Sequence, residues 1–373
     1  MSETGATQPS RLIRCRPHST HWNERENREF AEKGESQATK GGQLPFSGAE
    51  GTPQRLSGGH GSCSVENPMG RPLRRHAPGT YYLVTTRCHQ ARFFLRPESA
   101  LNEAVLEWLA RAQQQYPDLQ IHAFCAMSNH LHLLVRDTRG ELARWASYFF
   151  GNLARAVNGI RQRRGVAFER RYAAEPVLDD AALLDRLVYV VTNPVKAGLC
   201  EVSRQWPGVV LWAAGEEPEQ REVSWIDRGP YRRARHRAKK RGEAPPAPEL
   251  FRTSGTLVLQ PLAGRRSAEA IEAREQELAA ERARSGRAAM TRDEVLAQDW
   301  HAAPKRAKRS PRPACHTSER SLRQAFLEGY REFVEAFRQA SAQWREGCRD
   351  VVFPPWSYPP SCPLVGFADA RPG

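Results

Sequence analysis

The sequence predicts an α+β domain built on an antiparallel sheet, followed by a mainly helical C-terminal extension. Three observations carry that expectation. Short apolar or alternating runs of strand length recur between Thr80 and Leu178. Amphipathic runs of helix length lie between them. Two of the strand-like runs are separated only by a short turn, a connection that joins antiparallel strands and not parallel ones.

The elements follow in order. Thr80 to Arg87 ("TYYLVTTR") alternates as a strand. Leu101 to Gln114 is an amphipathic helix with Leu101, Val105, Leu106 and Leu109 on one stripe. Leu119 to Met127 is a strand, Ser128-Asn129 is a turn signal, and His130 to Arg136 is the hairpin partner. A second helix runs from Gly140 to about Ile160, with Leu142, Trp145, Phe149, Leu153 and Val157 at helical spacing. An extended segment, Tyr172 to Leu178, precedes a third helix that starts at Asp179-Asp180, residues suited to an N-cap. The order β-α-β-β-α-β-α is that of a ferredoxin-like sandwich.

Composition divides the chain into three. Residues 1–68 are rich in Gly, Ser, Gln, Glu and Arg without apolar periodicity and are expected to be a disordered N-terminal segment. Met69, followed directly by a basic arm and the first strand, reads as a natural beginning for a domain over 69–215. Residues 216–373 read as a basic linker and helical extension. "RGPYRRARHRAKKRGE" is followed by the break "APPAPE", a helix is expected over 268–285, and "SPRPACH" is a second break in which Cys315-His316 reads as incidental. Leu322 to Trp344 is a strongly amphipathic helix.

The formal net charge of +14 over 373 residues and the pI of about 9.8 point to a polyanionic partner, nucleic acid before an anionic membrane. Eight cysteines stand singly without a CxxC pair, which argues against a disulfide scaffold or a zinc ribbon and for free thiols in the cytoplasm. No apolar stretch is long enough to span a bilayer, so no membrane association is expected.

Two stretches stand out chemically. In "NHLHLL", His130 and His132 are two apart on a strand and share a face, where a pair of neutral imidazoles can grip one metal ion; by itself such a pair is more often two half-buried surface histidines. In "DRLVYVVTNPVKAG", Tyr189 and Asn193 fall within about 40° of each other on a helix, with Leu184, Leu187 and Val191 opposite. Pro194 disfavours helical geometry at Asn193, so a kink is expected there. Asp185 flanks the same face, as an orienting group or a solvated charge.

Together, "AMSNHLHLL" and the later "YVVTNPVKAG", with "GTYYLVTTRC" before and "WPGVVLW" after, resemble the IS200/IS605-like Y1 transposases of the HUH superfamily, most of all the REP-associated tyrosine transposases. The resemblance covers roughly residues 69 to 215; Ser128 stands where a proline is common, and "RQRRGVAFERRY" matches only loosely. It implies the HUH single-strand nuclease fold and a DNA transposase that nicks and rejoins single-stranded DNA, with hairpin-bearing ends as the expected partner and a monomer or homodimer as the active species. By this resemblance Tyr189 is the nucleophile, His130, His132 and Asn193 bind the metal, and that divalent metal is Mg2+ or Mn2+. Tyrosine attack on a phosphodiester would leave a 5′-phosphotyrosine intermediate and a free 3′-OH, so rejoining needs no nucleotide cofactor. Tyr148 and Tyr172 lack an amide or carboxylate four residues on, and Tyr172 reads as a packing or stacking residue. For DNA contact the candidates are Arg71, Arg74 and Arg75 in the arm and Arg161, Arg163, Arg164, Arg170 and Arg171 after the second helix. Two rival readings are a metal-dependent hydrolase, which needs further His or Asp ligands on other strands, and a non-catalytic DNA-binding relative with the same residues idle.

Overall fold

Along β3 (His130–Asp137), Leu131, Leu133 and Val135 alternate with His130, His132 and Leu134, so a single strand supplies two different faces. The computed structural model describes residues 72–169, 171–262, 264, 266–303 and 313–358, with the backbone of 366–367. It sets β3 between β1 (Thr80–Arg87) and β2 (Leu119–Ala126), antiparallel to both. β4 (Ala173–Val177) pairs antiparallel with the far side of β1. The strand order β4-β1-β3-β2 carries the expected ferredoxin-like topology, with α1 (Ser99–Gln115) and α2 (Leu142–Ile160) as its connections.

One face is a closed core. Leu101, Val105 and Leu109 of α1 and Trp145, Phe149 and Leu153 of α2 meet Leu131, Leu133 and Val135. Each such aliphatic burial is worth about 1.5–3 kcal/mol. The start of α2 is fixed by the last residue of β3. Both carboxylate oxygens of the buried Asp137 accept from the N–H groups of Gly140, Glu141 and Leu142, each at 2.8 Å, so one side chain meets the donors of the entry turn and the first N–H of the helix.

The other face is covered by α3 (Asp180–Val191), whose Leu183, Leu187, Val190 and Val191 pack with Leu83, Ala123, Cys125 and Leu134. Asp179 caps it, accepting from Ala182 N–H at 2.8 Å. The buried stripe differs from the expected one. Leu184 is only half-buried, and Leu183 and Val190 take its share. The pairs Leu183-Leu184 and Val190-Val191 let spacing choose either phase, and packing on the sheet selects one. The helix breaks at Thr192, one residue ahead of the expected kink, and resumes as α4 (Asn193–Lys196) with Pro194 in its first turn.

Beyond α4, β5 (Val210–Trp212) adds to the second half of β2. Trp206 before it donates its indole N–H to Ala126 C=O at 2.9 Å, and a Cβ on Gly208 would run into that indole. The expected linker and helical extension turns out to contain strands as well. β6 (Glu219–Ile226) and β7 (Arg252–Leu259) pair antiparallel along their length, and β7 adds to the first half of β2. β6 hides this in the sequence because it buries only Val223 and Trp225 and, apart from Ile226 at its end, otherwise carries polar side chains. Between them lies α5 (Arg228–Arg241), the basic run. Then come α6 (Ser267–Arg284), the short α7 (Arg292–Leu296) and α8 (Arg320–Arg345), with β8 (Val352–Phe353) and β9 (Gly366–Phe367) paired after them.

Cys315-His316 has a structural place. The segment lies along the outer edge of β4: His316 N–H donates to Pro176 C=O at 2.8 Å, and Leu178 N–H donates to His316 C=O at 2.9 Å. The His316 ring meets Glu175 at 2.9 Å, and Ser318 binds the capping Asp179 through both N–H and hydroxyl. Among the described residues no helix is long and apolar enough to cross a membrane. Met69 and the rest of the segment before residue 72 lie outside the described residues.

Candidate active site

His130 and His132 project from β3 to the α3 face, side by side, with ring centroids 4.8 Å apart. Register sets their neighbours on β1: Arg87 stands opposite His130 and Thr85 opposite His132. Asn129 Oδ1 lies 2.6 Å from His130 Nδ1; an amide oxygen only accepts, so Nδ1 carries the proton and Nε2 keeps its lone pair. Thr85 Oγ1 lies 3.0 Å from His132 Nδ1. The tautomer that donates to Thr85 likewise frees His132 Nε2, which is buried and has no partner. Burial drives both imidazoles toward neutrality. It lowers His130 to about 4, with the Arg87 charge adding and the nearby Asn193 amide opposing; it lowers His132 well below the usual histidine range, with His130, Arg87, Arg186 and Lys196 adding.

The sequence-distant Tyr189 arrives at this pair on α3. Its ring meets His132 edge-on at 5.2 Å between centroids. Asn193, carried inward by the break at Thr192, is buried beside His130. The four residues singled out by motif, Tyr189, His130, His132 and Asn193, therefore form one cluster. Two cations flank the tyrosine: the Arg186 guanidinium is 5.0 Å and the Lys196 ammonium 5.2 Å from its ring centroid.

The donor set fits a divalent cation. Two neutral imidazoles present free lone pairs, one of them an orphaned buried nitrogen, and an amide oxygen is the available third donor. Among the described residues there is no group of three or more His, Cys, Asp or Glu that could hold a metal. Asp185 is exposed and pairs with Arg186, not with a histidine.

The other tyrosines are elsewhere. Tyr148 packs against Trp108 and Tyr116 between α1 and α2. Tyr172 lies under the Arg74 guanidinium, 3.7 Å from its ring centroid. Of the arginines, Arg71 and Arg170 lie outside the described residues. Arg164 is exposed, and Arg75 is exposed over the Phe333 ring of α8. Arg161 is corrected to a structural role: it is buried, paired with Glu98 at 2.8 Å, and donates to Phe94 and Arg96 carbonyls. Arg163 is likewise held over Phe94, at 4.1 Å. Sequence reasoning missed Thr85, Arg87, Asn129, Arg186 and Lys196. Only the helical spacing of Arg186 from Tyr189 offered a signal; the strand partners depend on register.

No family model matches the chain. A Haemophilus influenzae protein assigned as a REP-associated tyrosine transposase is 29% identical over 126 residues, spanning 30% of this chain and 71% of that protein. A solved structure of a REP-associated tyrosine transposase bound to a REP hairpin aligns with 38% of this chain and 81% of that chain, at 14% identity and a TM-score of 0.31, a likeness too slight to carry an argument. Motif order, the assembled cluster and the 126-residue match agree in likening this chain to the REP-associated tyrosine transposases.

Proposed function

We propose that the protein is a transposase of the Y1 type that nicks and rejoins single-stranded DNA through Tyr189. The observation that carries this reading is the edge-on contact of Tyr189 with His132, which brings a nucleophile to a pair of neutral, oriented imidazoles. In the first step Tyr189 Oη forms a bond to phosphorus as the bond from phosphorus to the 3′ oxygen breaks. The phenol loses its proton and the 3′ oxygen gains one, leaving a 5′-phosphotyrosine and a 3′-OH. Rejoining is the same exchange in reverse with an incoming 3′-OH. Arg186 and Lys196 set two positive charges beside the phosphate that Tyr189 would carry. Asn129 and Thr85 hold the two imidazoles in place, as outer partners of metal ligands do. His130, His132 and the Asn193 amide oxygen are the residues that would hold Mg2+ or Mn2+. Bound there, such an ion would polarise a non-bridging phosphate oxygen and offset the charge that develops on it.

The partner in this reading is single-stranded DNA, at the ends of hairpins. The test is covalent trapping. End-labelled oligonucleotide is incubated with protein and Mg2+ or Mn2+ and run on a denaturing gel. The wild type, Tyr148→Phe and Tyr172→Phe should each retain a labelled adduct, and Tyr189→Phe should show none while binding the same oligonucleotide. An adduct that persists in Tyr189→Phe would move the nucleophile elsewhere. No adduct from any of the four would leave the non-catalytic relative as the better account.

A further inference from the structure

A second site lies behind the first. Thr85 and Thr86 are consecutive on β1, so they face opposite sides of the sheet. Thr85 orients His132 on one side; Thr86 lines a cavity of 310 Å³ on the other, against α2. That cavity adjoins another of 330 Å³, and the two share Arg74, Ala143 and Arg171.

The charges at the junction are unbalanced. Arg74 donates to Tyr172 C=O at 2.8 Å and Arg171 to Pro72 C=O at 3.1 Å, so main-chain oxygens fix both guanidinia without neutralising them. Among the described residues neither has an ion-pair partner. Burial lowers Arg74 to about 10, and the Arg171 charge works in the same direction against Tyr172, which opposes it. Asp137, a carboxylate within electrostatic reach of Tyr172, is already engaged by three N–H groups at the start of α2. Two like charges held together without a counter-charge favour an anion between them.

The walls suit a planar ring. Phe150 packs against Tyr172 at 5.5 Å and Phe168 at 5.8 Å between centroids, which makes one aromatic side. Beside Phe150 on the same helix, α2, lie Ala143, Ser147 and Gly151, and a Cβ on Gly151 would meet nothing within 4 Å. The Tyr172 hydroxyl is buried without a partner. Aromatic walls beside paired arginines are what an unstacked base and its phosphate require.

We propose that this cavity takes one unstacked nucleotide of single-stranded DNA, its phosphate between Arg74 and Arg171 and its base against Phe150 and Phe168. The assignment rests on the reading that the chain handles single-stranded DNA, and it adds a second holding point, back to back with Tyr189.

The test uses the full chain and a hairpin oligonucleotide with a single-stranded flank, in which 2-aminopurine is moved along the flank one position at a time. One position should change its fluorescence on binding far more than its neighbours. Arg171→Gln and Gly151→Leu, both at exposed positions, should abolish that signal and weaken binding about tenfold, the scale of one lost base stack. Fluorescence that changes equally at every position, or variants that bind and report as the wild type does, would overturn the proposal. So would free dAMP competing as well as the oligonucleotide, since the site would then hold a nucleotide and not a strand. Adduct formation at Tyr189 is scored in the same samples. A position-specific signal without adduct keeps the cavity and removes the nicking reading, and adduct without the signal does the reverse.

Discussion

On the α1/α2 side of β3, Leu131, Leu133 and Val135 are wholly buried among aliphatic and aromatic side chains, where the indole N–H groups of Trp145 and Trp108 are buried without a partner. On the α3 side, the same strand turns His130 and His132 toward Tyr189 and Asn193, and one imidazole nitrogen is left buried and unpaired. The two sides differ in what burial completes. The apolar side leaves over only indole donors, which can bind no metal ion. The polar side keeps a lone pair that water cannot reach and no protein group meets, an arrangement costing about 1–3 kcal/mol. Stability and chemistry are thus separated by the pleat of one strand, not by distance along the chain.

Three variants can break or sharpen that separation. The largest expected effect is on chemistry: His130→Ala together with His132→Ala should take metal-dependent cleavage below detection in the gel assay. Oligonucleotide binding and the thermal midpoint should stay near those of the wild type, because the arginines lie elsewhere and the lost rings complete no core. A large drop in the midpoint would mean that the polar side also holds the fold. Next, Leu133→Ala on the opposite side should cost about 2–5 kcal/mol in urea unfolding, the range for a truncated core leucine. The protein that remains folded should still cleave; loss of cleavage without loss of stability would join the two sides. The smallest effect is at the helix that carries Tyr189. Asp179→Ala should cost about 1 kcal/mol through the lost cap. Burial opposes ionisation of Asp179, but the hydroxyls of Thr317 and Ser318 and the N–H groups of Ala182 and Ser318 outweigh it and hold the carboxyl at about 2. Its contribution is therefore full above the ordinary carboxyl range of about 4 and fades as pH falls through 2. Urea midpoints of wild type and variant should differ at pH 7 and converge near pH 2; a constant gap would assign the effect to packing.

Much of this was readable before the structure. The first strand is found at the expected residues, and the next two strands and first two helices within about two, because each has its own periodicity and a turn or proline at its end. β6 was not readable, since a strand that buries two side chains has no alternation to show. In the site, spacing pairs His130 with His132 and Tyr189 with Asn193. Bringing the two pairs together required the packing of α3, and Thr85 and Arg87 required the register of β1 on β3. Arg161 misled because its charge suits DNA as well as it suits Glu98, and only burial tells the two apart.

The segment at His316 has a consequence in time. It covers the open edge of β4, yet it follows Val177 by well over a hundred residues. Synthesis at about 5–20 residues per second leaves a gap of roughly seven to thirty seconds between the two. Throughout that gap the N-terminal sheet can be complete in its own strands while β4 shows a row of unsatisfied N–H and C=O groups to its surroundings. A nascent chain is then most exposed to pairing with its neighbours on the same message, and the first contact that ends the exposure is the exchange of hydrogen bonds between His316 and the backbone on either side of Val177.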